Sequence, residues 1–219
     1  MSTDDEPSPM LNFYYAPRCC ALASHIVLEE VGASYQRTRL DFTKNEQRSM
    51  AYLAINPKAR VPALVTSHGV LTETPAILAY LAQTFPAANL APLDDPWAFA
   101  QVQSFNAYLC ATVHVAEAHW QRGNRWVDPD DAHAIAALKK KVPTSVFDAF
   151  ELVERNLTGP WVMGERFTIC DPYLFTLAQW MEFYQVNVAG LPRVIAHRAR
   201  VAARPATQRA IAEELGRAA

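Results

Sequence analysis

Two adjacent cysteines, Cys19 and Cys20, stand where a strand-like run meets a helical pattern. Residues 10–15 are β-prone, and apolar residues recur at helical spacing over 19–31, so both thiols fall at the start of the predicted helix. A thiol in the first turn of a helix faces unpaired backbone N–H groups and the positive end of the helix dipole, which both favour the thiolate. Cys20, one residue further into the helix, is therefore the better-placed nucleophile. The alternative is that either cysteine is a small buried apolar residue.

A second feature is the dipeptide Val61-Pro62, at the start of another β-prone run over 61–66. Pro62 has no N–H to donate to a sheet, so it belongs at the first residue of a strand or on an edge. With a cis peptide bond before Pro62, the N–H and C=O of Val61 would face outward and pair with an extended peptide. Few X-Pro bonds in folded proteins are cis, and an ordinary edge-strand proline is the alternative.

The third feature is the segment Glu73-Thr74-Pro75, at the start of a helix predicted over 75–84. Backbone N–H groups at a helix N-terminus bind carboxylates, and the Thr74 hydroxyl is a further donor. Pro75 suits the first helical position, where its missing N–H has no partner to lose. Glu73 can bind an ammonium group, so the segment fits the amino-acid end of a γ-glutamyl peptide. The alternative is a well-formed helix start with an acidic residue near the dipole.

These three features belong to a first half in which short strands alternate with helices. Four strands and three helices are predicted there: strands at 10–15, 34–40, 61–66 and 70–72, and helices at 19–31, 45–55 and 75–84. This order predicts a small mixed sheet flanked by helices. The proline-rich residues 86–96 form a linker, which divides the chain into a flexible tail (1–9), a first domain (10–85) and a second domain (97–219).

The second domain is predicted to be entirely helical. Apolar residues at spacings of three and four, with one irregularity, predict a long amphipathic helix over 98–120. A second apolar stripe predicts a helix over 135–157 that Pro143 kinks. Two shorter helices are predicted near the end, at 194–203 and 207–217.

A capping box opens one more helix in this domain. Thr168 and Asp171 are spaced so that each side chain can bind the other residue's backbone N–H. The helix predicted after them, 172–184, is apolar nearly all round. We therefore expect it at the buried centre of the second domain.

Composition excludes several classes of function. The 219 residues carry a formal net charge of −2, which gives no reason to expect nucleic acid or an anionic membrane as a partner. No apolar run reaches the roughly 18 residues that a membrane-spanning helix needs. The acidic residues 1–9 are unlike a signal peptide, and the four cysteines show no paired framework, so a cytoplasmic location is expected.

In their order and spacing, the three features resemble the glutathione-binding domain of the cytosolic glutathione transferases. The resemblance extends to the linker and to the capping box FTICDPYLF, and the segment YYAPRCCALASHI is most similar to the bacterial beta class, which has a cysteine in its active site. This resemblance implies an α/β thioredoxin-like N-terminal domain followed by an all-α C-terminal domain. It also implies that glutathione is the co-substrate and that the protein is a homodimer.

The same resemblance assigns roles to single residues. Cys20 takes the place of the active-site cysteine, and Tyr15 takes that of a nearby tyrosine. Val61 would pair with the cysteinyl backbone of glutathione. Glu73 and Thr74 would hold its γ-glutamyl end, where the family usually has serine in place of Thr74.

The beta class also has a histidine near the sulfur, on the first long helix of the second domain, and this position falls on His114. The lysine that follows it in the family is Val115 here. The family's helix asparagine corresponds to Asn106, one residue out of register. Arg18 and Cys19 stand where the family has small residues. These departures from the family pattern bear on the detailed activity that the resemblance implies.

The reaction implied by the resemblance is thiol–disulfide exchange, conjugation of glutathione to small hydrophobic electrophiles, or both, as in detoxification. A cysteine site favours exchange. Because the same fold also serves as a non-catalytic binding module, an interaction protein is the alternative.

A metal site is not expected. His114, Glu117 and His119 form the pattern H-x-x-E-x-H, which turns the second histidine about 140° around the helix from the first. His25 and His133 are interpreted as surface or helix-packing residues.

Overall fold

A computed structural model describes residues 11–216, so the predicted tail at 1–9 lies outside the described residues. The chain forms two compact units. The first comprises residues 11–88 together with 205–216, and the second comprises residues 89–204. The sequence-based division differs at the C-terminal end, where it assigned the last residues to the helical domain.

The first unit is built on a four-stranded mixed sheet. Its strands are β1 (Leu11–Tyr15), β2 (Tyr35–Arg39), β3 (Ala63–Thr66) and β4 (Gly69–Thr72). The strand order is β2-β1-β3-β4, with β1 parallel to β2 and antiparallel to β3, and with β3 antiparallel to β4. The three helices α1 (Ala21–Glu30), α2 (Met50–Ile55) and α3 (Thr74–Thr84) follow β1, β2 and β4 in the chain.

The second unit is helical. Its helices are α4 (Pro96–Tyr108), α5 (His114–Arg122), α6 (Ala132–Asn156), α7 (Cys170–Ala178) and α8 (Pro192–Ala202). α6 is one helix of 25 residues with Pro143 inside it, and it begins three residues before the start and ends one residue before the end of the predicted range. The last helix of the chain, α9 (Pro205–Glu214), belongs to the first unit and packs against α1. The predicted fold class, a thioredoxin-like α/β unit and a helical unit, is confirmed.

The helix predicted over 98–120 is divided by a π-helical turn at Leu109–Val113, between α4 and α5. The spacing of apolar residues in the sequence explains this π-helical turn. Two successive apolar spacings of four, from Phe105 to Leu109 and on to Val113, advance further than α-helical turns of 3.6 residues. A wider turn keeps Leu109 and Val113 on the buried side, and both are fully buried.

α7 lies at the centre of the second unit, as its sequence predicts, because all nine of its residues are buried. It begins two residues earlier than expected and ends at Ala178. The Asp171 carboxylate accepts the N–H of Thr168 at 2.6 Å, which is half of the predicted capping box. The Thr168 hydroxyl accepts the N–H of Cys170 at 3.3 Å instead of that of Asp171.

Candidate active site

The sheet register brings the three chemical features of the first unit to one edge. Tyr14, next to the last residue of β1, lies opposite Ala63, the first residue of β3. Ala63 also lies opposite Thr72, the last residue of β4. Because both pairings are antiparallel, the end of β1, the start of β3 and the end of β4 meet at the same edge. Cys20 follows β1, Val61 precedes β3 and Glu73 follows β4, so the segments that carry these residues all adjoin this edge of the sheet.

Cys20 occupies the position directly before the first residue of α1. Its Sγ lies 3.4 Å from the carbonyl oxygen of Val61, so the structure brings these two predicted site residues into contact. The peptide bond between Val61 and Pro62 is cis. In the part of the chain that the structure describes, which includes all four cysteines, no disulfide forms.

Glu73 and Thr74 form the junction between β4 and α3. Glu73 has a left-handed φ of 73° and caps α3 through its backbone, because its carbonyl oxygen accepts the N–H of Ile77 at 3.0 Å. Thr74, the first residue of α3, is buried, whereas the Glu73 carboxylate is half-exposed. The N-terminal N–H groups of α3 and this carboxylate are therefore adjacent, as the sequence predicts for a site that takes an amino acid's two charged groups.

Lys58 is a neighbour of this junction that sequence reasoning missed. Its Nζ forms a salt bridge with the Glu73 carboxylate and donates to the Thr72 hydroxyl at 2.7 Å. A lysine 15 residues before a glutamate in an irregular segment gives no local signal of pairing. The lysine becomes recognisable only when the turn before β3 is placed beside the end of β4.

Tyr15 ends β1 and is buried, with its ring stacked on Phe13 at a centroid distance of 5.8 Å and tilted against His25 at 5.6 Å. Burial raises the pKa of the Tyr15 hydroxyl, and the Glu214 carboxylate raises it further. Tyr15 is therefore a neutral phenol at neutral pH, a group that can donate a hydrogen bond and cannot serve as a base.

His114 belongs to the second unit, where it is the first residue of α5 and its ring lies 5.7 Å from that of Trp180. The three residues of the H-x-x-E-x-H pattern have separate surroundings. His119 packs on Trp126 at 4.3 Å, and burial lowers the pKa of its imidazole. Glu117 is fully buried, which raises the pKa of its carboxyl.

His25 and His133, both interpreted from the sequence as surface or packing residues, differ in burial. His133 is exposed, whereas His25 is fully buried and packs between α1 and its neighbours, so the packing interpretation applies to His25. Its two ring nitrogens face Glu213 at 3.0 Å and Glu214 at 3.4 Å, both on α9. Sequence reasoning missed this contact because the partners are nearly 190 residues apart.

Sequence profiles and solved structures define the class of this protein. The profile of the glutathione S-transferase N-terminal domain matches residues 10–83, and that of the C-terminal domain matches residues 126–205. The chain is 33% identical to glutathione S-transferase GstA of Escherichia coli O157:H7, over 93% of this chain and 98% of that protein. The chain therefore belongs to the glutathione S-transferase family.

Two solved bacterial structures are similar to this chain over nearly its whole length. A glutathione transferase homologue from Sulfitobacter, solved with bound glutathione, superposes with a TM-score of 0.88 at 38% identity, over 95% of this chain and 99% of that one. A beta-class glutathione S-transferase from Sphingomonas chungbukensis gives 0.80 at 28% identity, over 93% and 98% of the two chains. The resemblance to bacterial members of the family, including the beta class, is confirmed. Within residues 11–216, no helix is both long and apolar enough to cross a membrane.

Proposed function

We propose that this protein binds glutathione at the shared edge of β1, β3 and β4 and uses Cys20 for thiol–disulfide exchange. In this arrangement the backbone of Val61 pairs with the cysteinyl residue of glutathione. Glu73 receives the γ-glutamyl ammonium group, and the N–H groups at the start of α3, with the Thr74 hydroxyl, receive its carboxylate. The bound glutathione in the Sulfitobacter homologue supports this choice of ligand.

The observation that carries the proposal is the contact between the Cys20 thiol and the Val61 carbonyl oxygen. A peptide that pairs with Val61 through its own cysteinyl backbone has its sulfur in the neighbourhood of Cys20. The thiol also stands at the N-terminus of α1, whose unpaired N–H groups and dipole favour the thiolate.

The exchange proceeds in two steps from a mixed disulfide of glutathione and a small thiol. The Cys20 thiolate attacks the glutathione sulfur, so that a bond forms between these two sulfurs and the substrate thiolate leaves and takes a proton from water. The thiolate of a second glutathione then attacks the sulfur of the bound glutathione. This step releases glutathione disulfide and restores the Cys20 thiolate, so the mixed disulfide is reduced at the expense of one glutathione thiol, and the other half of glutathione disulfide comes from the substrate.

Tyr15 is a supporting group of the proposed site in the first unit, and His114, in the second unit, is given a supporting role by the family resemblance alone. As a neutral phenol, Tyr15 can donate a hydrogen bond to a thiolate, which stabilises the charged sulfur. The role proposed for His114 rests only on its correspondence to the beta-class histidine. Neither residue forms a covalent bond in this scheme.

The remaining parts of the proposal rest on the family and on the sequence. They are a homodimer, a cytoplasmic location and a small hydrophobic electrophile or a disulfide as second substrate. For the dimer, sedimentation equilibrium at micromolar concentration should give a mass near twice the 24.4 kDa of the chain. A mass near 24.4 kDa would contradict it.

Turnover tests the reaction directly. We expect the wild-type protein to reduce the mixed disulfide of glutathione and cysteine with release of glutathione disulfide, and we expect Cys20→Ser to lose this activity while it still binds glutathione in calorimetry. Conjugation of a model electrophile by Cys20→Ser at the wild-type rate would assign the activation of glutathione to a hydroxyl such as that of Tyr15. Glutathione binding with neither reaction in the wild type would favour the non-catalytic binding module.

A further inference from the structure

The last helix of the chain reaches the turn that carries the candidate nucleophile. Glu214, the last residue of α9, is buried, and its carboxylate accepts the backbone N–H of Arg18 at 3.2 Å. Arg18 lies two residues before Cys20, in the turn between β1 and α1. The donor and the acceptor are separated by 196 residues in the sequence and lie in the same unit.

The turn at Arg18 has a backbone conformation that needs support. Arg18 has a φ of 60°, in the left-handed region that residues with a side chain seldom adopt. A hydrogen bond from its N–H to a charged carboxylate is stronger than one to a neutral acceptor. The contact with Glu214 therefore stabilises this turn in the conformation that the structure has.

A second contact of Glu214 ties the same carboxylate to α1. Its other oxygen lies 3.4 Å from Nδ1 of His25, which is fully buried five residues after Cys20. Glu214 thus bridges the backbone before the cysteine and the side chain of a helical residue after it. Glu213, its neighbour on α9, contacts Nε2 of His25 and pairs with Arg37.

A metal site is the alternative interpretation of the cluster that His25 forms with the carboxylates around it. Among residues 11–216, His25, Glu29 and Glu213 lie close enough to share an ion. Both carboxylates, however, already pair with guanidinium groups, Glu213 with Arg37 and Glu29 with Arg209. The cations of the protein itself neutralise the cluster, so we assign no metal to it.

We propose that Glu214 is a positioning residue for Cys20: it fixes the turn at Arg18 and thereby sets the placement of the thiol at the start of α1. This inference rests on the proposed function of Cys20. It assigns part of the nucleophile's support to the last helix of the chain. Misplacement of a reacting group by about 1 Å can lower a rate by up to a hundredfold, so loss of this support affects turnover more than glutathione binding.

Three variants separate this role from simple docking of α9. Glu214→Ala removes the acceptor, and Glu214→Gln keeps an amide oxygen that can accept the Arg18 N–H. Glu213→Ala is the matched control, because it removes contacts of α9 with His25 and Arg37 and leaves the Arg18 contact in place.

The readouts are hydrogen exchange at the Arg18 amide and steady-state kinetics of the exchange reaction. For Glu214→Ala we expect amide exchange at Arg18 to accelerate at least tenfold and kcat to fall about tenfold, with KM for glutathione within twofold of wild type. Glu214→Gln should recover most of kcat, and Glu213→Ala should stay near wild type in both readouts. Equal effects of Glu214→Ala and Glu213→Ala, or a change of KM in proportion to kcat, would overturn the proposal. Since amide exchange needs no glutathione, it decides the role of Glu214 even if the wild type shows no turnover.

Discussion

The Cys20 thiol donates a hydrogen bond to the carbonyl oxygen of Val61, with 3.4 Å between sulfur and oxygen. In the proposed complex the same oxygen accepts an N–H of the glutathione backbone. The oxygen has two lone pairs, but an N–H bound at one of them makes it a weaker acceptor for the thiol at the other, so the peptide and the thiol compete for its electron density. A thiol whose acceptor weakens loses part of an interaction made only by its protonated form, which favours the thiolate.

From this competition we predict that glutathione analogues promote ionisation of Cys20. Saturating S-methylglutathione, which has no thiol of its own, should lower the pH midpoint of thiolate absorbance at 240 nm by about half a unit. The difference spectrum against Cys20→Ser isolates this thiol from the other three cysteines. A midpoint that stays constant or rises on binding would show that glutathione does not take over the Val61 oxygen.

Glu73 is expected to contribute to glutathione affinity without contributing much to stability. Glu73→Gln removes the charge that faces the γ-glutamyl ammonium group, and we expect Kd in calorimetry to rise about tenfold, or about 1.4 kcal/mol. Stability should change little, because the salt bridge to Lys58 is partly exposed and such pairs contribute little. The control is Glu165→Gln, which changes an exposed carboxylate of the second unit. Equal affinity of the two variants would remove Glu73 from the site.

Tyr52 should make the first unit sensitive to alkali. Its hydroxyl donates to the carbonyl oxygen of Arg60 at 2.6 Å, and burial raises its pKa to about 12. Since this value lies above the usual value of about 10, the tyrosine contributes stability that is fully present below pH 10 and is lost as the pH rises toward 12.

The corresponding variant is Tyr52→Phe, which cannot ionise. It should be less stable than wild type at pH 7, and its free energy of unfolding should fall less steeply between pH 9 and 11, as measured by urea denaturation at each pH. Tyr80→Phe is the control, since Tyr80 is not among the buried residues of α3. Parallel pH profiles for wild type and Tyr52→Phe would contradict the assignment.

Asp171 holds together the centre of the second unit. Its buried carboxylate accepts N–H groups of Val162 at 2.8 Å and Thr168 at 2.6 Å and lies 2.8 Å from Nε2 of His197. Asp171→Asn should lower the free energy of unfolding by about 3–5 kcal/mol, because it removes the charge and replaces one of the two acceptor oxygens of a buried polar network by an NH2 group. Asp148→Asn, an exposed change on α6, should stay within about 0.5 kcal/mol of wild type. Similar urea midpoints for the two variants would refute this role.

Sequence patterns predict the parts of this molecule whose cause is local. The strand from Leu11 to Tyr15, the helix start at Thr74 and the buried helix α7 each follow from a short run of residues, and all three appear in the structure. The π-helical turn is an intermediate case. The two successive apolar spacings of four around Leu109 are visible in the sequence, but they do not determine the local geometry by which the helix accommodates them.

The contacts that sequence reasoning missed join distant segments. Lys58 pairs with Glu73 across two strands, and Glu214 binds the Arg18 backbone across almost the whole chain. Neither contact leaves a periodic or spacing signal, because each depends on how separate elements pack. For the same reason, the roles of Tyr15 and His114 stay predictions that experiments have to test.

The most direct test of the account is the site of glutathionylation. After treatment with oxidised glutathione, intact-protein mass spectrometry should show a gain of roughly 305 Da, the addition expected for one disulfide-linked glutathione. We predict that Cys19→Ser keeps this adduct and that Cys20→Ser loses it. An adduct that persists in Cys20→Ser and disappears in Cys19→Ser would contradict the account and place the nucleophile one residue earlier.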